Sequence, residues 1–114
     1  MPVFAPCSNF NNLLWNYDEV LATMDRFPGT VVAWFAGHDH DGGYAVDDNG
    51  VHHVVPSSPL ECDPNEVSFG HVDVFSSHLT MTWTGKTPAS GPSDTGTKEP
   101  WPRELPLPPL VGGR

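Results

Sequence analysis

Basic residues are scarce in this sequence of 114 residues, which has 5 lysines and arginines against 14 aspartates and glutamates. The formal net charge of −9 argues against a nucleic acid or an anionic membrane surface as the partner, because both are themselves negative. A phosphate-bearing small molecule is compatible with this charge if bound cations screen its phosphates.

Long apolar runs and cysteines are also lacking. No run of about 18 apolar residues occurs, so the sequence predicts no transmembrane helix. The first residues lack a positively charged segment followed by an apolar one, so no signal peptide is predicted. The two cysteines, Cys7 and Cys62, form neither a Cys-x-x-Cys motif nor a disulfide framework. This cysteine usage predicts a reducing, cytoplasmic location.

The most informative stretch, residues 36–44, reads Ala-Gly-His-Asp-His-Asp-Gly-Gly-Tyr and follows the apolar residues 31–35. Strand ends that lead into loops are where sites are usually built, because a rigid element positions the side chains. Residues at i and i+2 of extended backbone point the same way. We therefore predict that His38 and His40 face one cavity, with Asp39 turned away.

These two histidines are candidate metal ligands, since neutral imidazole is the commonest metal-binding side chain. A His-x-His pair is also typical of an ordinary surface loop, and spacing alone leaves that alternative open. Zinc takes about four ligands and manganese about six, so a site at His38 and His40 needs ligands from elsewhere. His52 and His53 are adjacent, so on a strand they point to opposite faces and at most one can join the cavity.

One helix and one buried strand are predicted in the first third of the chain. Apolar residues at spacings of three and four predict a helix over residues 13–27, with Asn11 or Asn12 as its N-terminal cap. The apolar stripe of this helix is expected to contact the core. A nearly continuous apolar run predicts a strand over residues 30–36 that is covered on both faces.

Two β-hairpins are predicted after the His-x-His stretch. Residues 44–55 contain the sequence Asp-Asp-Asn-Gly at positions 47–50, and Asn-Gly is the strongest short signal for a hairpin turn. Residues 67–75 and 78–84 alternate apolar with polar side chains and form the second predicted hairpin.

The composition changes after residue 84, which predicts two parts of the chain. Residues 1–84 are predicted to be the folded domain. Residues 85–114 hold seven of the thirteen prolines and are predicted to be a disordered tail, because such a segment buries too little apolar surface to offset the entropy of ordering.

Four segments resemble one known family. They read Leu-Trp-Asn-Tyr at 14–17, Ala-Gly-His-Asp-His-Asp-Gly-Gly-Tyr at 36–44, Gly-Val-His-His-Val at 50–54 and Ser-Phe-Gly-His-Val at 68–72. With these segments the chain resembles the C-terminal part of a calcineurin-like metallophosphoesterase. Among such enzymes it is most similar to the manganese-dependent ADP-ribose/CDP-alcohol diphosphatases.

This resemblance implies an α/β fold, namely a C-terminal fragment of a four-layer α/β/β/α sandwich. It implies two divalent metal ions in the full family domain, with manganese expected and iron or zinc as alternatives. His38 would bind one metal and His40 the other. The implied chemistry is hydrolysis of a phosphoanhydride or phosphodiester in a small molecule that contains a nucleoside diphosphate, with no nucleic acid and no membrane as partner.

The chain also departs from the pattern of the family it resembles. The Asp-x-His, Gly-Asp-x-x-Asp and Gly-Asn-His motifs, which supply most metal ligands in the family, are absent from the sequence. They belong before residue 1, and Met1-Pro2 is similar to the end of the family's His-x-Pro segment. We therefore expect a truncated family member that is inactive alone. No catalytic or substrate-binding residue is assigned.

Two other functions are compatible with the residues themselves. The chain can be a small, non-catalytic β-domain whose histidine-rich face binds a metal or a protein partner. It can also be a regulator whose proline-rich tail binds an SH3-like domain. The codons upstream of Met1 would distinguish these possibilities from the metallophosphoesterase interpretation.

Overall fold

The computed structural model describes residues 1–86 and 103–108. In this part the chain is a mixed α/β structure with one α-helix and two three-stranded sheets, as predicted. The described part of the chain contains no helix with the length and hydrophobicity that a membrane span requires. The elements are α1 (Tyr17–Asp25), β1 (Ala33–Phe35), β2 (Gly43–Val46), β3 (His52–Val55), β4 (Ser68–Val74), β5 (His78–Gly85) and β6 (Arg103–Pro106).

The first sheet has the strand order β1-β3-β2. The central strand β3 pairs in parallel with β1 and antiparallel with β2, and all four of its residues are buried. The predicted hairpin over residues 44–55 is therefore confirmed. The chain leaves β1 at Phe35 and enters β2 at Gly43, so the His-x-His stretch forms the connection between the two outer strands of this sheet.

Asp47 organises the turn between β2 and β3. Its Oδ1 atom accepts hydrogen bonds from the backbone N–H groups of Asn49 at 2.9 Å and Val51 at 3.0 Å. Gly50 has a φ of 78°, whereas Asn49 does not have a positive φ. The hairpin thus turns at Asp48 and Asn49 and uses a left-handed glycine afterwards, rather than forming a two-residue Asn-Gly turn.

The second sheet has the strand order β4-β5-β6. Strands β4 and β5 form the second predicted hairpin, with Val74 opposite Leu79. Strand β6 pairs antiparallel with β5, and this places Leu105 opposite Leu79.

Strand β6 corrects part of the predicted disordered tail. Leu105 is fully buried, so residues 103–106 are an ordered strand within the segment 85–114. Pro106 is tolerated because β6 is an outer strand of its sheet, where a missing N–H breaks no central ladder. Residues 87–102 and 109–114 lie outside the described residues, and the predicted division at residue 84 stays a prediction.

The core lies between the two sheets, with a smaller cluster behind the first one. Val54 of β3 packs with Leu79, Met81 and Leu105 of the second sheet. The next residue, Val55, packs on the opposite face with Cys7 and Ala45, because neighbouring residues of a strand point to opposite sides. The N-terminal segment therefore covers the outer face of the first sheet.

The helix is shorter and more exposed than predicted. It begins at Tyr17, not at residue 13, and Asn16 at its N-terminus makes no capping side-chain hydrogen bond. A 3₁₀ turn over Phe10–Asn12, capped by the side chain of Asn9, takes up the preceding residues. No residue of α1 is buried, so its apolar stripe makes only partial contact with the rest of the described chain.

Strand β1 is also shorter and more exposed than predicted. It covers Ala33–Phe35 instead of residues 30–36, and Phe35 is 48% exposed. The reason is its position in the sheet, since β1 pairs with β3 on one side and ends the described sheet on the other. Inside a larger sheet this apolar strand would be covered on both faces, whereas here part of its apolar surface is exposed.

Candidate metal centre

The loop between β1 and β2 carries the two candidate metal ligands, His38 and His40, and both are exposed. His38 has a φ of 76° and is the one described non-glycine residue with a positive φ. The prediction that the two histidines point the same way on extended backbone is therefore wrong in its premise, because β1 ends at Phe35 and the loop turns at His38. Left-handed backbone at a non-glycine residue persists only where the surroundings hold it, and such strain is concentrated at functional sites.

Asp39 holds this loop against the N-terminal segment. It is 7% exposed, and its Oδ2 atom accepts a hydrogen bond from Ser8 Oγ at 2.5 Å and one from the Asn9 N–H at 3.1 Å. Its Oδ1 atom accepts from the N–H of Asp41 at 3.2 Å. Asp39 is therefore buried while its two histidine neighbours are exposed. Its hydrogen bonds fix the loop at the residue between the two histidines.

Hydrogen bonding keeps the Asp39 carboxylate ionised. Burial by itself raises the pKa of this group, but hydrogen bonds from the Ser8 and Asn12 side chains, followed by those from the backbone of Asn9 and Asp41, outweigh burial. The net result is a pKa below the ordinary value of 3.8. The loop thus contains a buried negative charge between two exposed imidazoles.

The segment after β3 approaches the His-x-His loop closely. The N–H of Ser58 donates to the carbonyl of His40 at 2.9 Å, and Ser57 Oγ donates to the carbonyl of Asp41 at 3.3 Å. A Cβ atom at Gly42 would lie 2.6 Å from the carbonyl oxygen of Val55. Glycine at position 42 therefore lets the two backbones pack together.

This contact brings a carboxylate to one of the histidines. Glu61 Oε1 lies 2.8 Å from His40 Nδ1, and both side chains are about half exposed. A carboxylate can only accept a hydrogen bond. When the His40 ring is neutral, its Nδ1–H therefore donates to Glu61, and the lone pair is left on Nε2.

His52 and His53 have other partners. They point to opposite faces of β3, as predicted. His52 accepts a hydrogen bond from the Tyr44 hydroxyl at 2.8 Å and donates to the Pro106 carbonyl at 2.7 Å. His53 donates to Asp47 Oδ2 at 2.9 Å, and its Nδ1 has no hydrogen-bond partner among the described residues. His52 thus joins β3 to β2 and β6, and His53 joins β3 to the turn that precedes it.

The donor chemistry of His38 and His40 fits manganese, iron or zinc, but the described residues supply only part of a coordination shell. No group of three or more His, Cys, Asp or Glu side chains in residues 1–86 and 103–108 is arranged to hold a metal ion. The acidic surroundings, which include Asp41 and Glu61, favour a cation at this loop.

Comparisons with known proteins show which proteins the chain resembles. No family model matches the chain. The chain is 42% identical over 86 residues to a manganese-dependent ADP-ribose/CDP-alcohol diphosphatase from Oryza sativa subsp. japonica, covering 75% of this chain and 26% of the relative. The chain is similar to part of these diphosphatases. The Arabidopsis thaliana diphosphatase is 43% identical over 74 residues, covering 65% of this chain and 24% of the relative. The human diphosphatase is 36% identical over 88 residues, covering 77% and 25%.

A solved structure supports the same fold. The crystal structure of a dimetal phosphatase from Danio rerio superposes on 95% of this chain with a TM-score of 0.74 and 23% sequence identity. The matched region is 29% of that phosphatase. The chain therefore spans about a quarter of the length of the curated diphosphatases it matches, and the resemblance predicted from the sequence is confirmed over that part.

Sequence reasoning found the two histidines but missed the residues that arrange them. For Asp39 the sequence predicted only that its side chain turns away from the two histidines. For Glu61 the sequence predicted no role, because Glu61 lies in a different loop from His40. The Ser-Ser-Pro at 57–59 before Glu61 is typical of a capped turn, and Ser58 Oγ does accept from the N–H of Leu60 at 3.2 Å. That pattern predicts a turn, but it does not predict which loop the turn contacts.

Proposed function

We propose that this chain provides the His-x-His part of a manganese-dependent hydrolase in the cytoplasm. The substrate is a small molecule in which a nucleoside diphosphate is linked to a sugar or an alcohol, the class named in its diphosphatase relatives. His38 binds one metal ion and His40 binds the other. Bound in this way, a metal pair lowers the pKa of a coordinated water and holds phosphate oxygens for in-line attack.

The observation that carries this proposal is the backbone of the His-x-His loop. His38 has left-handed backbone, with a φ of 76°, and the buried carboxylate of Asp39 fixes the loop next to it. Left-handed backbone at a non-glycine residue costs about 1–3 kcal/mol, so it is uncommon in loops and is concentrated at functional sites. The strain is explained if the loop exists to present both imidazoles.

The same geometry supports the expectation that the chain is inactive by itself. Hydrolysis by two metal ions needs several protein ligands on each ion and a position left open for water or substrate, whereas the described residues offer the histidine pair and no third grouped ligand. We therefore propose that the remaining ligands come from polypeptide that corresponds to the rest of the diphosphatase fold.

A chimaera tests the proposal directly. The matching segment of the Oryza diphosphatase is replaced by the aligned residues of this chain, and hydrolysis of ADP-ribose is measured with Mn²⁺. We expect manganese-dependent hydrolysis, and a loss of at least about 100-fold in kcat/KM for His38→Ala or His40→Ala, because each removes a metal ligand.

The matched control is His71→Ala in the same chimaera. His71 is an exposed histidine on β4, outside the His-x-His loop, so its removal is expected to leave kcat/KM within about twofold. A well-folded chimaera without activity, or one in which His38→Ala and His71→Ala behave alike, would contradict the proposal.

A further inference from the structure

We infer that Glu61 is a positioning residue for His40, which it holds in the tautomer that binds metal through Nε2. The inference rests on the proposed function and extends it to a residue outside the His-x-His loop. The observation behind it is the 2.8 Å contact between Glu61 Oε1 and His40 Nδ1.

The chemistry of the pair gives the direction of the effect. A carboxylate that accepts from Nδ1–H leaves the Nε2 lone pair free to bind a metal and fixes the orientation of the ring. A metal-binding histidine almost always has such a partner for its other ring nitrogen. Without Glu61, the proton of the neutral ring is free to occupy Nε2, and the nitrogen available to a metal then changes.

The surroundings of Glu61 distinguish this pair from a chance contact on the surface. A half-exposed ion pair is weak if it joins two freely moving side chains. Here the backbones are joined as well, since the N–H of Ser58 donates to the carbonyl of His40 at 2.9 Å. On the other side of the turn, Lys86 Nζ donates to the carbonyl of Glu61 at 3.3 Å. The carboxylate is therefore brought to the ring by contacts that hold the main chain on both sides of the turn.

The turn itself adds to this order. Glu61 closes a 3₁₀ turn, Pro59–Glu61, whose first residue has a fixed φ and whose N-terminus is capped by Ser58. Ser57 donates to the carbonyl of Asp41 at 3.3 Å, so the two loops are joined at His40 and again at the next residue.

The first test measures the tautomer of His40 in the full chain without metal. Long-range ¹H–¹⁵N NMR at a pH where the ring is neutral shows which nitrogen carries the proton. We expect Nδ1 to be protonated in the original chain, and the proton to move largely to Nε2 in Glu61→Leu. The control is Glu66→Leu, which removes an exposed carboxylate a few residues further on and is expected to leave the His40 tautomer unchanged.

The second test adds Mn²⁺ and follows paramagnetic broadening of the histidine ring signals. We expect the Mn²⁺ concentration that gives half of the maximal broadening of the His40 signals to rise about tenfold or more in Glu61→Leu. The same concentration should stay unchanged in Glu66→Leu. Amide spectra of both variants verify that the chain remains folded. A fold lost only in Glu61→Leu would overturn the inference, because it would give Glu61 a structural role.

The two readouts separate this inference from the proposed function. If Nε2 carries the proton in the original chain, or if Glu61→Leu leaves the tautomer unchanged, Glu61 does not position His40, whatever the metal does. If the tautomer responds as expected but Mn²⁺ broadens His71 as readily as His38 and His40, the positioning role stands and the proposed metal site fails.

Discussion

Asp39 is the residue on which the shape of the His-x-His loop depends most. Its carboxylate joins the loop to Ser8 and Asn9 of the N-terminal segment, while the two histidines remain at the surface. A buried carboxyl group that faces several donors stabilises the fold most when it is ionised, because protonation turns one acceptor oxygen into a donor. The same residue therefore links the stability of the chain to the geometry of the candidate site.

We predict that Asp39→Asn destabilises the chain by about 1–3 kcal/mol, because one amide group turns towards the donors that the carboxylate satisfied. Urea denaturation at neutral pH measures this. Asp48→Asn, at an exposed position in the β2–β3 turn, is the control and should change the unfolding free energy by less than about 0.5 kcal/mol. Since the folded pKa of Asp39 lies below 3.8, its contribution is also lost as the pH falls below that value.

His53 gives the chain a second dependence on pH. The ring is fully buried, and burial lowers its pKa below the ordinary 6.5, although its hydrogen bond to Asp47 and the charge of that carboxylate raise it in part. The unfolded chain therefore binds this proton more readily than the folded chain, so the stability due to neutral His53 is present above 6.5 and decreases as the pH falls below 6.5.

We predict that the unfolding free energy of the chain decreases between pH 7.5 and pH 5.5, and that His53→Gln has a smaller decrease from a lower starting value. His71→Gln, which changes an exposed ring, should keep the original slope. Equal slopes for all three chains in urea denaturation would show that His53 is not the group responsible.

At the scale of elements, sequence patterns predicted the features that depend on residues close together in the chain. The two hairpins follow from alternating side chains and turn residues, and both are present. The lengths of α1 and β1 were overestimated because the apolar pattern of the sequence extends beyond the residues that form each element. Strand β6 was missed because prolines dominate its surroundings, although Leu105 finds a buried position on β5. The contact of Glu61 with His40 depends on how two loops pack, which no local pattern contains.

We predict that Leu105→Ala costs about 2–5 kcal/mol of stability, the usual range for a large buried aliphatic side chain. The comparison is Leu60→Ala, because Leu60 is 82% exposed and its removal should cost less than about 0.5 kcal/mol. Thermal or urea unfolding of the full chain gives both values. Similar small effects for the two variants would mean that β6 contributes little and that the disordered tail predicted from the sequence extends through it.

At the scale of the whole molecule, a substantial apolar surface is left open. Phe35 at the end of β1 lines a cleft of about 240 Å³ together with side chains of the second sheet, and no residue of α1 is buried. Large contiguous apolar patches are uncommon on monomers and promote association. The chain spans only about a quarter of the length of the curated diphosphatases it matches.

We predict that the purified chain associates with itself as its concentration rises, and that its melting is broad. Sizing with light scattering at two concentrations, combined with calorimetry, measures this. Phe35→Ser should reduce association more than Leu60→Ser, since Leu60 lies outside the cleft although it is more exposed. A monodisperse monomer with a sharp melt would contradict the expectation and favour an independent domain.

The pairing of β6 with β5 has a consequence for the order of events in folding. Strands β4 and β5 are joined by a turn at residues 75–77, whereas β6 begins only at Arg103. Loop closure is entropically unfavourable, and contacts between distant residues form late. We therefore expect β6 to dock last and to undock first. The hydrogen bond from His52 to the Pro106 carbonyl would then form in the final step and mark its completion.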